Sequence, residues 1–483
     1  MRSRLAVAVA AAVLATTVVT VTPASAQDFA AERAARAAAL DVGHFSIGVR
    51  DRLTAQGTIT WAPQTGIPFD SVYQYVSGDG PGTPGDYHVS TIVAYAKIAH
   101  AYGYLPVLSY FRMDGDAWGP ASVPARCTGA CTSGDSAKRN LDHLEDPGFM
   151  YYYFDGLISA FKALNAQYGG PMLMHFEPDL SGYAQMLVND RTRCGTDCVP
   201  TVTAESPAAV LAAVALSGQA DVKDFPDTLQ GFYLAVLHLR DLYAPRVSLA
   251  YHVSDWATAD VYRKTSPDDK TNDIGQSHVA VDAAALADRV ASFAAQDGAS
   301  TDPSLSLPGV ATSRYDLLFN DVLDHDAAYA ELRGGNPDYW WDTENIDLPN
   351  FAHWEAYIQR ITSDTGLKAI VWQVPEGNTV YLTENDTTGH YQDNRVQYFF
   401  DHIPELAAAG LVGVIFGNGT AGSSATLDLQ NDGVTNGSPT CTTRGSHSHT
   451  LLCTSRVSTV PDDDGGYLRD RAAAYFAAPY SLP

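Results

Sequence analysis

The chain has 483 residues, of which 46% are apolar, a composition that excludes wholesale disorder and a collagen-like repeat. With 30 basic and 55 acidic residues, its formal charge is −25. This acidity argues against nucleic acid and anionic membranes as partners, because both require a basic patch. It also disfavours an anionic polymer such as pectin as a substrate.

The N-terminus has the features of a secretory signal peptide. Arg2 and Arg4 precede an uncharged apolar run over 5–21, and Ala24-Ser25-Ala26 is a typical cleavage sequence. We therefore predict a signal peptide over 1–26 and a secreted, extracellular mature chain, with no membrane contact after cleavage. An uncleaved anchor is the alternative, and no later run reaches the roughly 18 apolar residues that a membrane-spanning helix needs.

The six cysteines indicate disulfides, because an even number in an exported chain is typical of an oxidised framework. Pairing between sequence neighbours is the simplest arrangement. A zinc site is the alternative, since the segments CTGAC and CGTDC each place two thiols four residues apart. The cysteines are Cys127, Cys131, Cys194, Cys198, Cys441 and Cys453.

Short β-rich apolar runs alternate with amphipathic runs of helical length, a pattern typical of a parallel sheet with crossover helices. Eight such units predict an α/β fold, a (β/α)8 TIM barrel over 27–483 as a single domain. A doubly wound open sheet is the alternative, but no GxGxxG or Walker sequence follows the first strand. The predicted strands are His44–Val49, Val72–Val76, Leu105–Phe111, Met172–Glu177, Val247–Val253, Tyr315–Asn320, Ala369–Val374 and Val412–Phe416. The predicted helices are Val89–Tyr102, Asp146–Gln167, Phe225–Tyr243, Val279–Ala295, Asn350–Ser363, Asn394–Ala409 and Gly466–Ala478.

The long connections run from strand to helix and contain all six cysteines, so disulfides would brace the loops of one barrel face. One such connection, 419–466, is rich in Gly, Ser, Thr and Asp, and we interpret it as a loop after the eighth strand. In a barrel these loops lie at the C-terminal ends of the strands, where active sites are built.

Polar residues recur along the strands in a phase that would face the barrel interior. A polar core that only stabilises the fold is the alternative to a wet pocket. The residues in this phase are Ser46, Gln74, Ser109, His175, His252, Ser254, Asn320 and Gln373.

Glu177 ends the fourth predicted strand and shares the inward phase of His175, two residues earlier. A carboxyl group there can act as a general acid if its surroundings raise its pKa. Pro178 ends the strand and would hold Glu177 at the rim. An exposed loop glutamate without catalytic function is the alternative.

A second carboxylate is sought at the ends of strands six and seven. Glu376 follows Pro375 after strand seven, while Asp321 and Asp324 follow strand six. Any of them could act as nucleophile or base, although the aspartates could equally cap the next helix. Calcium is a further possibility for the acidic segments 428–433 and 462–464, neither of which fits an EF-hand. We otherwise expect no cofactor or metal.

Aromatic residues crowd the same loops, where their faces can stack on sugar rings while carboxylates and amides hold the hydroxyl groups. Ordinary core packing is the alternative for many of them. The predicted substrate-binding residues are Tyr110, His175, Asp179, His252, Asp255, Trp256, Asn320, Trp341, Trp372 and Gln373.

The strand pattern and the pair Glu177-Pro178 resemble the (β/α)8 glycoside hydrolases of the retaining clan that carries Glu on strands four and seven. This resemblance implies that Glu177 is the acid/base and Glu376 the nucleophile. The clan usually has Asn before the first glutamate, where this chain has Phe176. Asp321 or Asp324 could therefore take the second role. The chain also resembles a group of secreted bacterial proteins, of no assigned activity, that share the segments FEPDLSGY, HYQDN and DDDGGYLR.

We therefore predict a monomeric secreted glycosidase that cleaves a neutral oligo- or polysaccharide with a carboxylate pair. Carboxyl separations of about 5–5.5 Å indicate retention and about 6.5–9.5 Å inversion. A non-catalytic carbohydrate-binding barrel is one alternative. A metal-dependent hydrolase or phosphodiesterase is another, with His175, His252, Asp321 and Asp324 as converging ligands.

Overall fold

The computed structural model describes most of the chain, with gaps in several long connections. The described residues are 26–77, 85–114, 136–186, 204–257, 274–275, 282–301, 314–322, 325–327, 329, 340–378, 393–417, 423–424 and 464–483. All six cysteines, Asp324 and the segment 428–433 lie outside these ranges, so the predicted disulfides and that calcium segment remain predictions.

Eight parallel strands form one closed barrel in chain order, which confirms the predicted TIM barrel. The sheet closes where β8 pairs with β1. Each predicted strand overlaps its observed counterpart. The strands are β1 Ser46–Arg50, β2 Ser71–Ser77, β3 Leu105–Phe111, β4 Met172–Phe176, β5 Val247–His252, β6 Leu317–Asp321, β7 Ala369–Val374 and β8 Leu411–Phe416.

Helices surround the barrel in the described part of the chain. They are α1 Ala26–Leu40, α2 Trp61–Thr65, α3 Gly85–Ala101, α4 Ser136–Glu145, α5 Pro147–Ala163, α6 Leu180–Gln185, α7 Leu229–Tyr243, α8 Ala283–Gln296, α9 Phe351–Thr365, α10 Arg395–Asp401, α11 Ile403–Ala408 and α12 Asp464–Phe476. A π-helical turn, Leu164–Tyr168, extends α5. Within the described ranges, no helix has the length and apolarity needed to cross a membrane.

The helices differ from the predicted ones in two ways: one predicted helix is divided, and α1, α2, α4 and α6 are absent from the prediction. The predicted helix 394–409 is divided at His402, because Pro404 lies in the first turn of α11 and cannot donate a backbone hydrogen bond. Helix α4 is absent from the prediction because its sequence SAKRNLDHLE is mostly polar, although its buried residues Ala137, Leu141 and Leu144 recur with helical spacing.

The interior of the barrel holds its own apolar cluster, separate from the larger core between strands and helices. The members of the interior cluster are Tyr73, Val107, Leu173, Ala250, Leu317, Phe319, Ile370, Trp372 and Ile415. The prediction that Gln74 on β2 and Asn320 on β6 face the barrel interior is wrong. Their neighbours Tyr73 and Phe319 belong to the interior cluster instead. His175 and His252 face inward as predicted, since Phe319 stacks on the His175 ring and His252 lies beside it.

Candidate functional site

Three polar side chains meet at the C-terminal ends of β4, β5 and β6. Asp179 precedes α6, while His252 and Asp321 are the last residues of β5 and β6. One potential ligand atom from each lies within 4.8 Å of the others. His252 is buried, whereas the side chains of Asp179 and Asp321 are 30% and 17% exposed. We call these three residues the Asp–His–Asp cluster.

A short hydrogen-bond chain fixes the imidazole of His252. Its Nδ1 lies 3.0 Å from Nε2 of His175, and Nδ1 of His175 lies 3.3 Å from Oγ of Ser109. Burial, together with the neighbouring His252, lowers the pKa of His175 well below its usual range, so that ring is neutral. The chain therefore leaves Nε2 of His252 directed at the two carboxylates.

Trp372 provides an aromatic wall next to this cluster. Its ring lies edge-on to His175 at 4.5 Å between centroids and 5.5 Å from the ring of Tyr75. The amide of Gln373 donates to the Tyr75 hydroxyl group, which is possible because Gln373 has a left-handed backbone (φ 62°) that breaks strand alternation. The predicted binding residues Trp372 and Gln373, which are neighbours in the sequence, thus both contact Tyr75.

The opposite wall of the barrel mouth is formed by β1, β2 and the end of β7. Burial raises the pKa of Tyr73. The positive charge of Arg50 opposes this rise and the negative charge of Glu376 adds to it, which shows that both charges lie near the Tyr73 hydroxyl group. A Cβ at Gly417 would lie 2.6 Å from the Tyr73 hydroxyl oxygen, which places that hydroxyl at the end of β8. Glu376 is buried on this side.

Glu177 does not point into the barrel. Its left-handed backbone (φ 45°) breaks the alternation that predicts an inward side chain. The carboxylate accepts hydrogen bonds from the backbone N–H groups of Arg112 and Met113, at 3.2 and 3.0 Å, and from the Tyr153 hydroxyl at 2.5 Å. Burial raises its pKa to about 8, and these hydrogen bonds oppose the shift. The predicted inward orientation is wrong, and the contacts tie the loop after β3 to α5.

Three other predicted binding residues lie in the layer between barrel and helices. Tyr110 stacks on Phe176 at 5.8 Å between ring centroids. Asn320 accepts a 2.9 Å hydrogen bond from the indole of Trp354, and Trp341 is buried and donates to the Gly275 carbonyl group. These contacts correct the expectation that Tyr110, Asn320 and Trp341 face a ligand.

Two further predicted residues, Asp255 and Trp256, follow β5 and lie outside the Asp–His–Asp cluster. Asp255 is buried directly after β5, and its carbonyl oxygen accepts a hydrogen bond from Ile274. Trp256 is half-buried and packs on Tyr183 at 4.9 Å between ring centroids. Asp324 lies outside the described residues, and its role stays a prediction.

A buried ionic network near the mouth was missed from the sequence. Arg395 is paired with Asp393 at 2.6 Å, and its guanidinium group also donates to the carbonyl oxygens of Val322 and His325. Burial raises the pKa of Asp326, which accepts backbone hydrogen bonds from the segments after β7 and β8. Asp393 belongs to the segment HYQDN that the sequence analysis singled out. Its hydrogen-bond partner Ala327 lies 66 positions earlier in the chain, so no local spacing could relate the two.

No family model and no curated protein matches the chain. Among solved structures, the chain is similar to the AHE enzyme from Alicyclobacillus herbarius, with 11% identity and a TM-score of 0.41 over 86% of this chain and 85% of that one. A thermostable mutant of a xylanase from Cellvibrio japonicus has 11% identity and a TM-score of 0.36, over 79% and 88% of the two chains. A D-allulose 3-epimerase from Methylomonas sp. has 12% identity and a TM-score of 0.33, over 90% and 97%. The barrel itself is established by the closed sheet.

Proposed function

We propose that the protein is a secreted glycoside hydrolase that acts on a neutral oligo- or polysaccharide at the C-terminal mouth of the barrel. The observation that carries this proposal is the distribution of carboxylates around one aromatic residue. Asp179 and Asp321 lie on the β4–β6 side, Glu376 lies on the side of Tyr73, and Trp372 contacts residues of both sides.

This arrangement suits a neutral sugar better than an apolar or highly charged ligand. An indole such as that of Trp372 can stack on the apolar face of a sugar ring. The indole N–H of Trp372 and the hydroxyl of Tyr73 are buried and have no hydrogen-bond partner within the described residues. Sugar hydroxyl groups both donate and accept hydrogen bonds, so one ligand could satisfy both groups.

The proposed chemistry is a single displacement. A water molecule held by Asp179 and Asp321 loses a proton to one of them and attacks the anomeric carbon. The bond from that carbon to the glycosidic oxygen breaks, and Glu376 gives its proton to the departing oxygen. With the base on the β4–β6 side and the acid on the side of Tyr73, we expect the wider carboxyl separation, about 6.5–9.5 Å, that accompanies inversion of configuration.

The test is an assay of the mature chain from Gln27 onward on a panel of neutral polysaccharides, with new reducing ends as the readout. We expect Asp321→Asn and Glu376→Gln each to lower turnover by about 100-fold or more, since a general acid or base typically contributes about 100- to 10,000-fold. Asp288→Asn is the matched control, because Asp288 is an exposed carboxylate paired with Arg360 on the helical surface.

Proton NMR of the first-formed anomer checks the stereochemistry, and inversion is expected. Absence of turnover on every substrate, with undiminished oligosaccharide binding by the Glu376→Gln variant, would instead identify a non-catalytic carbohydrate-binding barrel. Retention of configuration would reject the single displacement but not the glycosidase.

A further inference from the structure

The Asp–His–Asp cluster has distances that hydrogen bonding does not explain. Nε2 of His252 lies 3.5 Å from Oδ1 of Asp321 and 3.7 Å from Oδ1 of Asp179. Hydrogen bonds from nitrogen to oxygen span about 2.7–3.2 Å. Both Nε2 of His252 and Oδ1 of Asp321 are buried without a hydrogen-bond partner in the part of the chain that the structure describes.

The same distances fit the edges of a metal coordination sphere. Zinc binds imidazole nitrogen and carboxylate oxygen at about 2.0–2.2 Å, so two such ligands at a tetrahedral angle lie about 3.4 Å apart. The observed 3.5 and 3.7 Å separations are close to that edge length. A cation between the three groups would satisfy the buried nitrogen and the buried oxygen together.

The surroundings of His252 are also those of a metal ligand. A ligating histidine usually uses its second ring nitrogen for a hydrogen bond that fixes its tautomer and orientation. Here Nδ1 of His252 meets His175, which in turn meets Ser109. With a cation at Nε2, His252 donates from Nδ1 to His175, and His175 donates from Nδ1 to the Ser109 hydroxyl oxygen, so every ring nitrogen is used.

We propose that Asp179, His252 and Asp321 form a site for one divalent transition-metal ion, Zn²⁺ or Mn²⁺. One imidazole with two carboxylates suits these ions, whereas Mg²⁺ and Ca²⁺ prefer oxygen ligands alone. Three protein ligands leave coordination positions open, as in catalytic rather than structural sites. The partial exposure of Asp179 places those open positions on the solvent side.

The catalytic role of the ion rests on the proposed function, whereas the binding of the ion to the Asp–His–Asp cluster does not. The open positions would take the attacking water molecule or a hydroxyl group of the sugar. The carboxylate oxygen of Asp179 or Asp321 that does not bind the ion would still accept the proton of that water, as in the proposed function. The Asp–His–Asp cluster differs from the predicted ligand set, because Asp179 takes the place of His175, which supports His252 from behind.

The test measures metal binding directly, on the full mature chain stripped with a chelator and titrated calorimetrically with ZnCl₂ or MnCl₂. We expect one ion per chain, and an affinity at least about 100-fold weaker in both Asp321→Asn and Asp179→Asn, since even the loss of an outer-sphere partner of a metal ligand costs about 10–100-fold. Asp179→Asn is the second variant because its partly exposed side chain is the one least needed for folding. Glu376→Gln, on the opposite wall, should bind the ion as tightly as the parent chain.

Absence of stoichiometric binding, or binding unchanged in both aspartate variants, would overturn the metal site. Reducing-end assays with and without chelator separate the two proposals. Metal binding without turnover on any substrate would leave the site standing and reject the glycosidase. Turnover that persists in chelator, without metal binding, would do the reverse.

Discussion

Glu177 shows how a single backbone conformation changes the meaning of a residue. Its φ of 45° turns the carboxyl group away from the barrel interior and onto two backbone N–H groups and the Tyr153 hydroxyl. A residue in the αL region is uncommon outside glycine and costs free energy, so the surrounding contacts must hold it there. The structural role this suggests is to fix the loop after β3.

Substitutions at Glu177 separate that role from catalysis. With a raised pKa the native side chain is protonated near neutral pH. Its O–H then donates to the Tyr153 hydroxyl oxygen while the other oxygen accepts from Met113, and glutamine offers the same donor and acceptor. We expect Glu177→Gln to keep both its melting temperature and turnover. Glu177→Ala should lose about 2–4 kcal/mol of stability, because two backbone N–H groups lose their acceptor. Turnover abolished in Glu177→Gln at unchanged melting temperature would show that Glu177 is the acid after all.

Asp297 predicts a pH dependence of stability. It is fully buried at the end of α8, one oxygen accepts a 2.7 Å hydrogen bond from Tyr251, and burial raises its pKa well above the usual value. Between about pH 4 and this raised pKa, the folded protein holds a proton that the unfolded chain releases. The free energy of unfolding therefore falls as pH rises through that window, by up to about 1.4 kcal/mol per pH unit.

Asp297→Asn removes this ionisation and keeps an acceptor for Tyr251. We expect its stability relative to the parent chain to increase from pH 4.5 to pH 8, measured by urea unfolding at each pH. Parallel pH profiles for the two proteins would show that Asp297 ionises normally in the fold.

At the scale of elements, the positions of the strands could be predicted from the sequence, but which of their side chains point into the barrel could not. All eight were found, because β-branched and aromatic runs alternate with helical periodicity. Strands of a parallel barrel are buried on both faces, so polarity does not reveal which face is inward. Tyr73 and Gln74 on β2 show this, as do Asn320 and Asp321 on β6.

The candidate site was predictable only in part for a related reason. His175, His252, Asp179, Asp321 and Trp372 were identified because polar and aromatic residues at barrel strand ends stand out. Their grouping depends on which strands are neighbours, and on left-handed residues such as Gln373 that no spacing rule anticipates.

The Arg395 network ties together elements that the barrel alone does not join. Its partners come from the segments after β6 and β7, and Asp326 links these to Ser424 after β8. Arg395→Met leaves the buried charge of Asp393 without its partner, so we expect a loss of about 3–5 kcal/mol in unfolding free energy. Chemical denaturation is the measurement.

Two comparisons sharpen this prediction. The double variant Arg395→Met with Asp393→Asn should be more stable than Arg395→Met alone, since it removes the stranded charge. Arg360→Met, at an exposed ion pair, should cost much less stability than Arg395→Met, because exposed ion pairs contribute little to folding. Equal losses at Arg395 and Arg360 would contradict a structural role for the buried network.

At the scale of the whole molecule, the mouth exists only because the sheet closes. Asp179, His252 and Asp321 lie at the C-terminal ends of three different strands, and the opposite wall comes from β1, β2 and β7. The pairing of Ser46 with Gly413 is part of the β1–β8 contact that completes the ring. A Cβ at Gly413 would lie 2.7 Å from the Ser46 carbonyl oxygen, closer than backbone atoms allow.

We therefore expect Gly413→Ala to lower the free energy of unfolding by about 1–3 kcal/mol, through overpacking at the closure. Gly48→Ala is the comparison, because its Cβ would meet mainly the Ser71 hydroxyl oxygen, at 2.2 Å. Adding Ser71→Ala should rescue Gly48→Ala, whereas Ser46→Ala should not rescue Gly413→Ala, since the clashing carbonyl remains. Thermal unfolding of the two single and two double variants tests this prediction. Rescue of Gly413→Ala by Ser46→Ala would mean that the Ser46 side chain, and not the backbone contact between β1 and β8, causes the clash.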